Sequence, residues 1–122
     1  MRAYIDAHAT LLALEWKHFA AGHLSRPATR EDVRVATEYL DDAERIVREG
    51  LASADNAAVI AGIPAQYLAN PWVVVSQIQG ALIDYCYERL VPAWAQRLAG
   101  VDVFGYSHCT RMVEFVLVDE GF

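Results

Sequence analysis

At 122 residues the chain is long enough for one self-sufficient core and is expected to form a single domain over residues 1–122. An apolar share of 55% excludes a disordered segment, and a formal charge of −6 argues against nucleic acid, whose binders carry a basic footprint. An acidic chain suits a basic protein partner, because opposite charge speeds association.

A first helix is expected over residues 3–21. Ile5, Ala9, Leu12, Trp16 and Phe19 recur at helical spacing and define one apolar face. Gly22 supplies a stop, and a short linker leads to Pro27. Asp6, Glu15 and Lys17 interrupt the segment, so it lacks the apolar centre of a signal peptide. The expected setting is the cytoplasm.

Thr29 is a good N-cap for a second helix, with Asp32 three residues on as a relative of the capping box. Val33, Ala36, Leu40, Ala43, Val47 and Gly50 form its apolar stripe, widened by Tyr39, Ile46 and Leu51. The opposite face is densely charged. Its plain reading is a solvated surface laced with one-turn ion pairs. Its functional reading is a docking surface in which Glu38, Asp41 and Asp42 supply charge and Tyr39 the aromatic anchor.

Residues 53–69 form a connector of small residues. Ser53 is expected to cap a short helix running to Ala61, with Gly62 as its stop. Asn70 and Pro71 then start a long helix over about 71–98, Asn as N-cap and Pro in the first helical position. That helix is apolar almost all the way round, the mark of a bundle centre or of a helix with a core on one side and a partner on the other. Pro92 is expected to kink it near Leu90. The longest uncharged stretch, Asn56 to Ile83, is interrupted by prolines and amides, so no membrane span is expected.

The tail from Val101 to Val118 is rich in β-branched and aromatic residues. It reads as a β-hairpin turning at Ser107 to Thr110, and a fifth helix using Met112, Phe115, Val116 and Leu117 competes with that reading. The expected fold is mainly α: an antiparallel bundle of three to five helices around the long central one, with the hairpin at its C-terminus.

Candidate chemistry is sparse. Glu15 and His18 have the Glu-x-x-His spacing of di-iron carboxylate bundles, but the motif occurs once where two copies and further carboxylates are needed. Ser76, Gly80, Asp84 and Glu88 make a polar stripe on the long helix, flanked by Tyr85 and Tyr87. Facing solvent, the stripe marks the outside of the bundle. Facing inward, Asp84 and Glu88 would join His18 and Tyr106 as the polar groups of a pocket. Two cysteines make no disulfide framework: Cys86 is expected to pack as a small hydrophobe and Cys109 to be an exposed thiol. No catalytic residue, metal ligand set or cofactor is expected.

These readings point to a non-enzymatic protein-binding module, an immunity- or antitoxin-type inhibitor or small adaptor that occludes a basic partner surface. The alternative is a small-molecule or metal-binding helical protein, or an enzyme, with its pocket beside the central helix. A homodimer through that apolar helix, anchored by Trp72 or Trp94, fits either function.

Overall fold

The computed structural model describes residues 1–20 and 26–119. These residues are mainly helical, and no strand forms among them. No helix among them is long and apolar enough to cross a membrane. The chain divides into two compact units, Met1–Asp42 and Ala43–Phe122, and the boundary falls inside the second long helix.

In the first unit, α1 spans Arg2–Ala13 and α2 begins at Arg30. The helix expected over 3–21 ends early because other groups take its last carbonyls. Leu14 is extended, the Trp16 indole donates to the Leu11 carbonyl at 2.6 Å, and the Arg30 guanidinium donates to Leu14 at 3.0 Å and also to Leu12. Arg30 also stacks over the Trp16 ring at 5.1 Å. Helix ends leave carbonyls that need such donors, and here three are satisfied without another helical turn. Phe19 and Ala28 then form an isolated antiparallel bridge. The stop expected at Gly22 and the linker residues up to Ser25 lie outside the described residues.

The start of α2, which runs Arg30–Ser53, follows its sequence signature. Asp32 accepts from the Thr29 backbone N–H at 2.7 Å and from its hydroxyl at 2.8 Å, while the Thr29 hydroxyl accepts from the Asp32 N–H. Arg26 adds a two-pronged ion pair to the same carboxylate at 2.7 and 2.8 Å. These hydrogen bonds, with the one from Arg26 the strongest, hold the Asp32 carboxyl well below the usual carboxylate range.

The second unit contains the C-terminal part of α2, α3 (Asn56–Ala61), a 3₁₀ turn (Ala65–Tyr67), α4 (Pro71–Trp94) and α5 (Val101–Glu114), which runs on into a π-helical turn, Phe115–Asp119. Asp55, not Ser53, caps α3, accepting from Ala58 N–H at 3.0 Å. Ser53 instead ends α2 by donating back to the Glu49 carbonyl at 2.8 Å. Asn70 caps α4 as expected, accepting from Trp72 N–H at 3.1 Å. The helix passes through Pro92 and stops at Trp94 rather than near residue 98. Pro92 deprives the Glu88 carbonyl of its donor, and both residues are exposed, so water can replace the lost bond.

The core of this unit is one seam per helix. Ile46 and Val47 of α2, Leu82, Leu90 and Trp94 of α4, and Val101, Met112, Val113 and Val116 of the C-terminal segment are all buried. Each contributes about 1.5–3 kcal/mol relative to exposure. Two glycines set the helix separations. A Cβ on Gly50 would lie 2.7 Å from both Leu82 Cδ1 and Tyr85 Cδ1, and one on Gly105 would lie 2.6 Å from Val91 Cγ2.

Three sequence expectations fail in this unit. The expected hairpin is a helix, because Val101, Gly105, Cys109 and Val113 recur every four residues and only a helix turns them all onto α4. Cys86 and Cys109 form a disulfide with Cα atoms 5.8 Å apart and no exposure at either residue, so Cys109 is not a surface thiol and Cys86 is more than a small hydrophobe. Trp94 is 1% exposed and belongs to the core, so it cannot anchor a dimer.

Candidate functional site

The polar stripe of α4 faces outward. Ser76, Asp84 and Glu88 are exposed, and a Cβ added to Gly80 would meet nothing within 4 Å. On this side α5 lies close to α4, because Gly105 admits Val91 and Tyr87 to its backbone. That approach sets the Tyr106 ring against Tyr87, with centroids 5.8 Å apart and planes at 63°. Asp102 stands one turn before Tyr106 on α5, and Asp84 stands one turn before Glu88 on α4. Residues one turn apart share a helix face. The two tyrosine rings thus meet across the α4–α5 junction, with Asp84 and Glu88 exposed on α4 and Asp102 exposed on α5.

This surface is open and acidic. Asp84, Glu88 and Asp102 are exposed and make no ion pair among the described residues, and Tyr106 is 47% exposed. Uncompensated carboxylates accept charge-assisted hydrogen bonds from Arg or Lys. The tyrosine faces attract the same cations through the ring quadrupole.

Three of the four expected pocket residues, Asp84, Glu88 and Tyr106, are exposed on α4 and α5. The fourth, His18, is exposed in the first unit, in non-helical chain beyond the end of α1. Glu15 is placed likewise, so the Glu15/His18 spacing brings no side chains onto one helix face. Among the described residues no group of three or more His, Cys, Asp or Glu can hold a metal ion. Asp102 and the pairing of Tyr87 with Tyr106 escape the sequence reading. The four-residue repeat through Gly105 and Cys109 is the signal that could have revealed them.

The docking face expected on α2 changes in one respect. Glu38 and Asp41 are exposed and Asp42 is half-buried, but Tyr39 is only 5% exposed and cannot act as a surface anchor. It falls on the same side of the helix as Ala43 and Ile46, four and seven residues on, and burial pushes its phenol up to about 12.

A separate apolar cleft of about 230 Å³ lies beside α4, lined chiefly by Leu51, Val59, Ile78, Ala81, Leu82 and Tyr85. None of His18, Asp84, Glu88 or Tyr106 lines it. Of its polar neighbours Ser53, Asp55 and Asn56, Ser53 is engaged with the end of α2 and Asp55 with the start of α3.

Comparison with known protein families, with curated proteins and with solved structures gives no match, so the site stands on its geometry alone.

Proposed function

We propose that the chain is a non-enzymatic, protein-binding helical bundle, an immunity- or antitoxin-type inhibitor or small adaptor that covers a basic surface of another protein. The observation that supports it is the Tyr87–Tyr106 contact between α4 and α5, two helices that also carry the exposed carboxylates of Asp84, Glu88 and Asp102. Tyrosines are among the residues that carry most of the energy of protein interfaces, and exposed carboxylates speed encounter with a basic partner. Glu38 and Asp41, exposed on α2 in the first unit, contribute to the chain's net charge of −6, which suits a basic partner. No cofactor enters this reading.

The experiment is a salt titration of binding to the purified partner. Association should slow steeply as ionic strength rises, and Asp84→Lys with Glu88→Lys should remove most of that dependence. A salt-independent association rate would sink the proposal.

The disulfide bears on the setting. Cytosolic thiols keep most cysteines reduced, whereas disulfides persist in oxidising surroundings. In place of the cytoplasm expected from the sequence, we propose an oxidising compartment. Denaturing host cells directly into an alkylating agent tests this: two labelled cysteines per chain would restore the cytoplasmic reading.

A second reading rests on the apolar cleft, which suits a small apolar ligand, though it is smaller than the roughly 300–1,000 Å³ of most ligand pockets. A bound mass in the native protein that disappears on Ala81→Trp would support it. Retention of that mass in the variant would remove it.

A further inference from the structure

We propose that a second copy of this chain docks on the N-terminal end of α4, by reciprocal insertion of Trp72 into a depression on its partner. This surface is distinct from the acidic α4–α5 face and does not depend on it. Trp72, Val75, Gln79, Leu82 and Cys86 follow one another at alternating steps of three and four, which is a single helix seam. Leu82 and Cys86 are buried, but towards the N-terminus the same seam comes out into solvent: Val75 is 44% exposed and Trp72 77% exposed. Tyr67 and Leu68, just before α4, are 50% and 43% exposed. An indole so exposed, continuing a core seam, is a knob without a hole among the described residues of its own unit.

The hole lies beside it. A depression of about 330 Å³ is lined by Gly62, Ile63, Pro64, Tyr67, Val73 and Gln77. It exceeds a tryptophan side chain in volume, and Trp72 is not among its lining residues. Knob and hole belong to one short chain segment, so a twofold axis between two copies can satisfy both exchanges at once, as an isologous interface requires.

Charge selects the second copy as the occupant. The chain carries −6, and a copy meeting itself over most surfaces brings carboxylates together. Asn56 to Ile83, which supplies the whole seam end and the depression, contains no Asp, Glu, Lys or Arg. Self-contact here costs no like-charge repulsion, while a charged partner finds nothing to pair with. Each large aromatic supplies about 150–250 Å². Trp72 and Tyr67 with Leu68 and Val75 therefore supply roughly half of the ~800 Å² per partner of a standard interface, which fits a concentration-dependent dimer.

Sedimentation velocity over a concentration series tests this. Wild type should shift with concentration towards twice the 13.6 kDa chain mass. Trp72→Glu, which alters an exposed side chain, should keep the helical circular dichroism and raise the dissociation constant about 100-fold, the scale of a central interface tryptophan. Gln77→Arg should weaken self-association by blocking the depression. Mixing the two variants should restore a dimer. The intact Trp72 of one then meets the intact depression of the other, and the two introduced side chains, opposite in charge, meet across the second exchange. A monomeric wild type overturns the proposal and leaves the patch to a different protein. A dimer indifferent to Trp72→Glu, or variants that fail to complement, overturns it equally.

Discussion

Cys86 of α4 and Cys109 of α5 are joined by a disulfide at the buried centre of the second unit, with their Cα atoms 5.8 Å apart and neither residue exposed. On α5 the bridge lies one turn beyond Gly105, and on α4 Cys86 is adjacent to Tyr87. It therefore fixes the register of the two elements that carry the acidic face. Closing a loop between residues 23 apart stabilises a fold by about 3 kcal/mol through loss of unfolded-state entropy. Denatured but unreduced protein should show no thiol that reacts with an alkylating agent. Reduction, or Cys86→Ala with Cys109→Ala, should lower the unfolding free energy by about that amount in denaturant titration. Two reactive thiols before reduction would contradict the bridge.

The glycines of the second unit should respond in opposite directions. Gly105→Ala forces a Cβ to 2.6 Å from Val91 and should destabilise by about 1–3 kcal/mol, the usual cost of overpacking. Gly80→Ala, in the interior of α4 with open space around it, should stabilise by about 0.5–1 kcal/mol. Thermal melts of the two variants check the pair. A stabilised Gly105→Ala would mean that α4 and α5 are further apart than described.

The Arg26–Asp32–Thr29 cluster should make the start of α2 sensitive to acid. Because the folded Asp32 carboxyl is held below its unfolded value near 4, its contribution is complete above about pH 4 and is lost as pH falls towards the folded value. Amide exchange in the first turn of α2 should be faster in Asp32→Asn than in wild type at neutral pH. In strong acid the two should converge. An equal difference at both pH values would remove the charge from the explanation.

Tyr39 should act at the other end of the scale. Its phenol is pushed up to about 12, against an unfolded value near 10, so its contribution is complete below about pH 10 and lost as pH rises through 12. Tyrosinate absorbance should contain a component near 12 that is absent in Tyr39→Phe. Its persistence in the variant would place another phenol in that environment.

Much of the helical framework was legible in the sequence because local chemistry specifies it. Thr29/Asp32 and Asn70/Pro71 start α2 and α4, the first pair and Asn70 through capping hydrogen bonds and Pro71 through its fixed φ. The stops and the tail were less legible because non-local partners decide them. Nothing near Ala13 announces that Arg30 will satisfy the last carbonyls of α1. The tail has the composition of strands, and its helical order rests on a repeat that includes a glycine and a cysteine, residues that carry little helix propensity of their own. Its misreading also hid the disulfide, since Cys109 faces Cys86 only when the tail is helical. The acidic stripe of α4 was visible as a pattern. Its pairing with Tyr106 and Asp102 depended on the contact between the two helices.

Native mass spectrometry of the protein purified gently from its host, beside the Asp84→Lys/Glu88→Lys/Asp102→Lys variant, tests the central claim most directly. The wild type should form a stoichiometric complex with a basic protein, and the charge-reversed variant should lose it. A partner that stays bound to the variant, or a wild type that carries no protein partner, would contradict it.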